Sequence, residues 1–136
     1  MQIQFTVDGE AHGKGRPRFT RDGHAYTDAK TKAYEHAIAN VAREAMGDNP
    51  PMTGPVYMAL TIRVTPPKST SATKRRKMLA GEIWPTTKPD KTNVTKAIED
   101  ACNGIVYLDD KQIIDGPQTK IYAETAGVDV IIMEVE

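Results

Sequence analysis

At 136 residues, 39% hydrophobic and 26% charged, the chain has the size and composition of one globular domain. A domain this long buries roughly two-thirds of its unfolded surface and needs no covalent staple, and a single cysteine, Cys102, excludes an internal disulfide and a cysteine-based zinc site. The formal net charge is zero, the N-terminus MQIQFTVDGE has neither the basic start nor the apolar run of a signal peptide, and no apolar segment approaches the length of a membrane span. A cytoplasmic protein with no membrane partner is expected.

Residues 3–7, IQFTV, alternate apolar and polar, the pattern of a half-buried strand. A basic loop, GKGRPRFTRDGHAYT, follows. From about Asp28 to Met46 the positions Tyr34, Ala37, Ile38, Val41, Ala42, Ala45 and Met46 recur at helical spacing, with Thr27 or Asp28 able to cap the start and GDNPP to end it. Val56, Met58, Leu60, Ile62 and Val64 alternate over nine residues, the clearest strand signal in the chain. PPKSTSATKRRKMLAGE reads as an exposed connector with a short helix after Ser71. A helix over 94–102 is predicted next, with Asn93 as its N-cap, a stripe of Val94, Ala97, Ile98, Ala101 and Cys102, and Gly104 beyond its end. Cys102 falls on the apolar side, as a small core residue does. Residues 112–115 and 119–124 are candidate short strands, and GVDVIIMEV closes the chain as another. No repeat or linker divides residues 1–136, so the expectation is one two-layer α+β (mixed α/β) domain, with helices packed on a mixed or mainly antiparallel sheet.

Zero net charge conceals an uneven distribution. Residues 12–32 carry Lys14, Arg16, Arg18, Arg21, Lys30 and Lys32 against Asp22 and Asp28, and residues 68–77 carry Lys68, Lys74, Arg75, Arg76 and Lys77 with no acid. Segment 109–136 reverses the sign, with seven carboxylates against Lys111 and Lys120. Such a pattern fits a polyanion held near a cation, and it also fits ordinary solvated faces. His12, His24 and His36 lack ligand spacing. Phe19, Tyr26 and His24 could wedge at a nucleic-acid branch, although core packing is the commoner fate of the aromatics.

Chemistry concentrates in KPDKTNVTKAIEDACNGIVYLDD, residues 88–110. Asp90 lies three residues before the expected cap, at the mouth of a helix whose first amides attract anions. Lys96 gains nothing from the dipole there, so it is either a solvated lysine or one that serves a ligand. Asp109 and Asp110 suit a turn, and in extended chain only one of them can face Asp90. Carboxylates gathered in one place repel unless a cation neutralises them or one is protonated. Aspartate oxygens completed by water suit Mg²⁺ or Mn²⁺.

The same run, KPDKTNVTKAIEDACNGIVYLDDKQI, resembles the signature of the RusA family of Holliday junction resolvases, which reads Lys-Pro-Asp-x-Asp-Asn, two residues, Lys-Ala, then Asp-Ala-Leu-Asn-Gly and Asp-Asp-x-Gln. GKGRPRFTRDGHAYTDAKTKAYE is similar to that family's basic loop and helix start, and PPKSTSATKRRKMLAGEIWPTTKPD to its basic connector. The resemblance implies a Mg²⁺-dependent endodeoxyribonuclease of bacterial or phage type that binds four-way junctions as a homodimer and takes no small-molecule substrate. It assigns Asp90 and Asp110 as metal ligands with Asp109 beside them, Lys96 as the lysine at the scissile phosphate, and Asn93 as cap and brace. The basic residues Lys14, Arg16, Arg18, Lys74, Arg75, Arg76, Lys77 and Lys88 would meet DNA phosphates. Gly13 and Gly15 would either let the backbone approach the strand or simply form a flexible turn.

One position departs from the pattern. Thr92 stands where the family has its second aspartate, so a neutral hydroxyl replaces a carboxylate on the side of Asp90. Asp109 or Asp115 could compensate, water could fill the position, or the protein could be a catalytically weak or inactive branched-DNA-binding protein.

Overall fold

The computed structural model describes residues 1–15 and 18–136. In chain order its strands and helices are β1 (Gln2–Asp8), β2 (Arg18–Phe19), β3 (Ala25–Tyr26), α1 (Ala29–Met46), β4 (Val56–Val64), α2 (Ala72–Leu79), α3 (Lys91–Cys102), β5 (Ile113–Asp115), β6 (Gln118–Tyr122) and β7 (Gly127–Glu134). A 3-10 turn, Asp110–Gln112, precedes β5.

The sheet runs in the order β1-β7-β4-β5, with β6 also on β4. β1, β7 and β4 pair antiparallel, whereas β5 and β6 pair parallel to successive stretches of the same edge of β4. The mixed sheet expected from the alternating patterns is present. Between β5 and β6 the chain steps through Gly116, where φ is +135° and an added Cβ would stand 1.8 Å from the Met58 carbonyl oxygen. Only glycine fits there, and the step lets Leu60 N–H reach Pro117 O at 2.9 Å.

Alternation along the strands puts Ile3, Phe5 and Val7 of β1, Val56, Met58, Leu60 and Ile62 of β4, and Val128, Val130 and Ile132 of β7 on one buried face. Helices α1 and α3 cover it. Ile38, Ala42 and Met46 of α1 and Val94, Ala97, Ile98 and Cys102 of α3 complete the core. Cys102 is a packing residue as its position implied, and burial pushes its thiol up to about 12. Asp28 caps α1 by accepting from Thr31 N–H at 2.7 Å, and Gly47 ends it. Ser71 caps α2.

Two local readings are corrected. The basic loop contains a hairpin, β2 against β3, whose two-residue strands are too short to display an alternating pattern. Phe19 and Tyr26 on that hairpin are 68% and 46% exposed and do not pack in the core. The reason is topological, since the hairpin forms its own small sheet apart from the main one.

Candidate active site

Helix α3 begins three residues earlier than its apolar stripe indicates. Asp90, rather than Asn93, is the N-cap: its Oδ1 accepts from the backbone N–H of Thr92 at 2.9 Å and of Asn93 at 3.2 Å, satisfying amides that the helix leaves free. Asn93 becomes the third helical residue and serves as a brace. Its carbonyl accepts from Lys14 N–H at 3.0 Å, and its Cβ would lie 3.0 Å from a Cβ added at Gly13. The close approach that Gly13 permits is therefore to α3 itself.

The earlier start moves Lys96 away from the helix mouth into the second turn. Its Nζ lies 3.3 Å from Asp100 Oδ1 on the same helix and 3.6 Å from Asp110 Oδ2. The hydrogen bond and charge of Asp100 hold the Lys96 pKa above its ordinary value. Asp100 binds a second cation, Lys14, which also reaches Glu35 of α1 at 3.1 Å. Burial opposes charge on Asp100, but the hydrogen bonds and charges of Lys14 and then Lys96 outweigh it and keep the carboxyl below its usual range. The chain Glu35, Lys14, Asp100, Lys96, Asp110 thus joins α1, the basic loop, α3 and the 3-10 turn.

Gln112 fixes the turn. Its Oε1 accepts from the backbone N–H of Leu108 at 2.8 Å and of Asp109 at 2.9 Å, while its Nε2 donates to Met52 O and Gly54 O at 2.9 and 3.0 Å. Asp109 caps the turn through Lys111 N–H at 2.9 Å, completing a capping box with Gln112. That N–H holds the Asp109 carboxyl low. Asp110 is the first residue of the turn rather than part of an extended segment, and it is the acid of the pair that lies beside Lys96. Tyr107 is buried and donates to Glu99 O at 2.7 Å, tying the segment before the turn to α3. Burial and then the charge of Asp110 push the Glu99 carboxyl up, against the opposing charge of Lys96.

Asp90 has no ion pair or hydrogen bond to Lys96 or Asp110 among the described residues. It lines two open clefts at the start of α3, one with Lys88 and Asn93 and one with Thr92 and Trp84. Asp110 lines neither. Asp115 ends β5 exposed, its Oδ1 accepting from Gly116 N–H at 2.8 Å. Of the basic residues, Arg18, Lys74, Arg76, Lys77 and Lys88 are exposed, Arg75 is half-buried, and Lys14 is held in the ion pairs described above. Arg16 lies outside the described residues.

The family described as endodeoxyribonuclease RusA matches residues 8–133. The chain belongs to the RusA family. It is also 41% identical, over 98% of its length and 96% of the relative's, to the uncharacterized protein YqaN of Bacillus subtilis (strain 168).

RusA-family nucleases act on branched DNA junctions and are generally dependent on a divalent metal. Among the described residues no group of three or more His, Cys, Asp and Glu side chains is assembled to hold an ion. The donor chemistry nevertheless fits a hard cation: Asp109 and Asp110 offer carboxylate oxygens from adjacent positions of one turn, and Asp90 accepts its two amides through Oδ1 alone. No helix of the described residues is long and apolar enough to cross a membrane.

Asp100, Gln112 and Tyr107 were not among the residues expected at the site. Gln112 carried a usable signal, because Asp109-x-x-Gln112 is the capping-box spacing. Asp100 carried one too, four residues after Lys96 on a helix. Tyr107 carried none.

Proposed function

We propose that the protein is a structure-selective endodeoxyribonuclease that resolves four-way DNA junctions by paired hydrolysis, acting in the cytoplasm as a homodimer. The observation that carries this reading is the approach of Lys96 Nζ to Asp110, 3.6 Å across two separate segments, in a chain matched by the RusA family over residues 8–133. Two parts of the signature that lie apart in sequence meet in space.

Asp90 and Asp110, with Asp109 adjoining, are the residues that would hold Mg²⁺ or Mn²⁺. When bound, such an ion supplies neutralising charge for a phosphodiester and lowers the pKa of a water. The remaining work belongs to the chain. Lys96, anchored by Asp100, presents an ammonium for the negative charge that develops on the phosphorus oxygens during attack. Gln112 ties the turn to residues 52–54 and Tyr107 ties the segment before it to α3, so that Asp110 and Lys96 hold their relative positions. Lys74, Arg75, Arg76 and Lys77 on α2, Lys88, and Arg18 on the hairpin are suited to phosphate contacts that set affinity and carry no sequence information. A junction has two-fold symmetry, and a C₂ homodimer would place one site at each of the two strands to be cut.

Thr92 favours a second reading, a weakened nuclease that chiefly binds. Its side chain is exposed beside Asp90, leaving the position neutral. A gel shift and a cleavage assay on the same synthetic junction, with Mg²⁺ and with chelator, test the two. The nuclease reading expects metal-dependent nicks, increased by Thr92→Asp. Metal-independent binding with no nicks from either protein would replace it with the binding-only reading.

A further inference from the structure

Trp84 is the sole tryptophan of the chain, and 59% of it is exposed. Folding ordinarily covers much of so large an aromatic surface. The segment that carries it is fastened: Pro85 is buried, and Lys120 Nζ donates to Thr87 O at 2.6 Å, tying residues 84–87 to β6. The indole is therefore displayed from an anchored segment.

Trp84 forms one wall of an open cleft of about 650 Å³, whose other walls are the first residues of α3 and the start of β6. Lys91 and Lys120 stand in this cleft against a single acid, Asp90. Asp90 directs one oxygen to the α3 amides, and Thr92 adds a neutral hydroxyl. The cleft thus combines an aromatic face, two ammonium groups and one carboxylate. An unpaired nucleotide matches that combination, with its base on the indole and its phosphate against lysine. A base inside a duplex has both faces occupied by its neighbours and offers nothing to stack.

We infer that Trp84 is a stacking platform for an unpaired base of branched or single-stranded DNA, seated between the N-terminus of α3 and β6 beside Asp90. The inference deepens the junction-nuclease reading, on which it rests for the branched form of the DNA. Base pairs at the point of strand exchange open more readily than those in the arms, and a captured base would hold the exchange point next to Asp90.

Because Trp84 is the only tryptophan, fluorescence excited at the red edge of the indole band, where the five tyrosines do not absorb, reports on this residue alone. The protein is titrated at fixed salt with oligothymidylate, with a four-way junction and with a duplex of equal length. Stacking predicts quenching by oligothymidylate and by the junction and little change with duplex. Trp84→Ala should weaken oligothymidylate binding about tenfold with unchanged circular dichroism, and Trp84→Phe should retain most of the affinity. Gel-shifted DNA with unaltered fluorescence overturns the platform and leaves the junction reading standing. Fluorescence that changes on dilution of the protein and not with DNA also overturns it, since the indole would then be covered by a second copy of the chain. Quenching by oligothymidylate from a protein that neither binds nor cuts junctions supports the platform and overturns the junction reading instead.

Discussion

The ammonium of Lys14 is held against the carboxylate of Asp100, across 86 residues of chain. The contact fastens the basic loop to α3, and the loop's backbone is joined to the same helix by Lys14 N–H to Asn93 O at 3.0 Å. A lysine expected to meet phosphate has a structural partner on each side.

Asp100→Asn should therefore cost about 1.5–3 kcal/mol, the range for hydrogen bonds to charged groups. The folded Asp100 carboxyl lies below its ordinary value and Lys14 above its own. The Asp100 contribution is present above the unfolded carboxylate pKa and lost as pH falls through the folded one. The Lys14 contribution is lost as pH rises through its raised value. Urea unfolding of the two proteins should differ most between about pH 5 and pH 10 and converge in acid.

Glu99→Gln should act in the opposite direction. The folded Glu99 carboxyl is raised, so its effect on stability turns unfavourable as pH rises from the unfolded carboxylate value through the folded one. Thermal unfolding is expected to show a higher Tm for the variant at pH 7 and no difference at pH 3.

Gln112→Ala removes four hydrogen bonds at one stroke and leaves two half-buried carbonyls, Met52 O and Gly54 O, without the Nε2 donor. A loss of about 2–4 kcal/mol is expected. Junction cutting should fall more than junction binding, because the turn carrying Asp110 loosens while the basic surfaces are untouched. Parallel rate and gel-shift measurements at a temperature where the variant is folded check this.

Gly13→Ala would bring a methyl group to 3.0 Å from Asn93 Cβ, closer than side chains normally approach. The loop must shift from α3, weakening Lys14 N–H to Asn93 O. Faster proteolysis within residues 10–28 than in the wild type is the expected readout.

The main sheet was legible because β1, β4 and β7 each bury one face, which imposes strict alternation on residues such as Val56, Met58, Leu60 and Ile62. Helix α3 was legible in its apolar stripe and less so at its start, since Lys91, Thr92 and Asn93 are exposed and periodicity says nothing about exposed first-turn residues. The Asp90 cap had to be read from side-chain chemistry instead. Proximity of Lys96 to Asp110 followed from the family pattern, but its anchor through Asp100 to Lys14 depends on tertiary packing of α1 against α3, which no local window contains. Trp84 escaped notice for the same reason, because exposure is decided by what fails to pack on it.

The most direct test of the account is strand-resolved mapping of cuts on a synthetic four-way junction, each strand end-labelled in turn, with Mg²⁺ present. Wild-type protein should place two symmetric nicks in opposing strands, and Asp90→Asn and Asp110→Asn should each abolish them while still shifting the junction in a gel. Paired nicks persisting at the wild-type rate in either variant would contradict the assignment of these two carboxylates to the reaction.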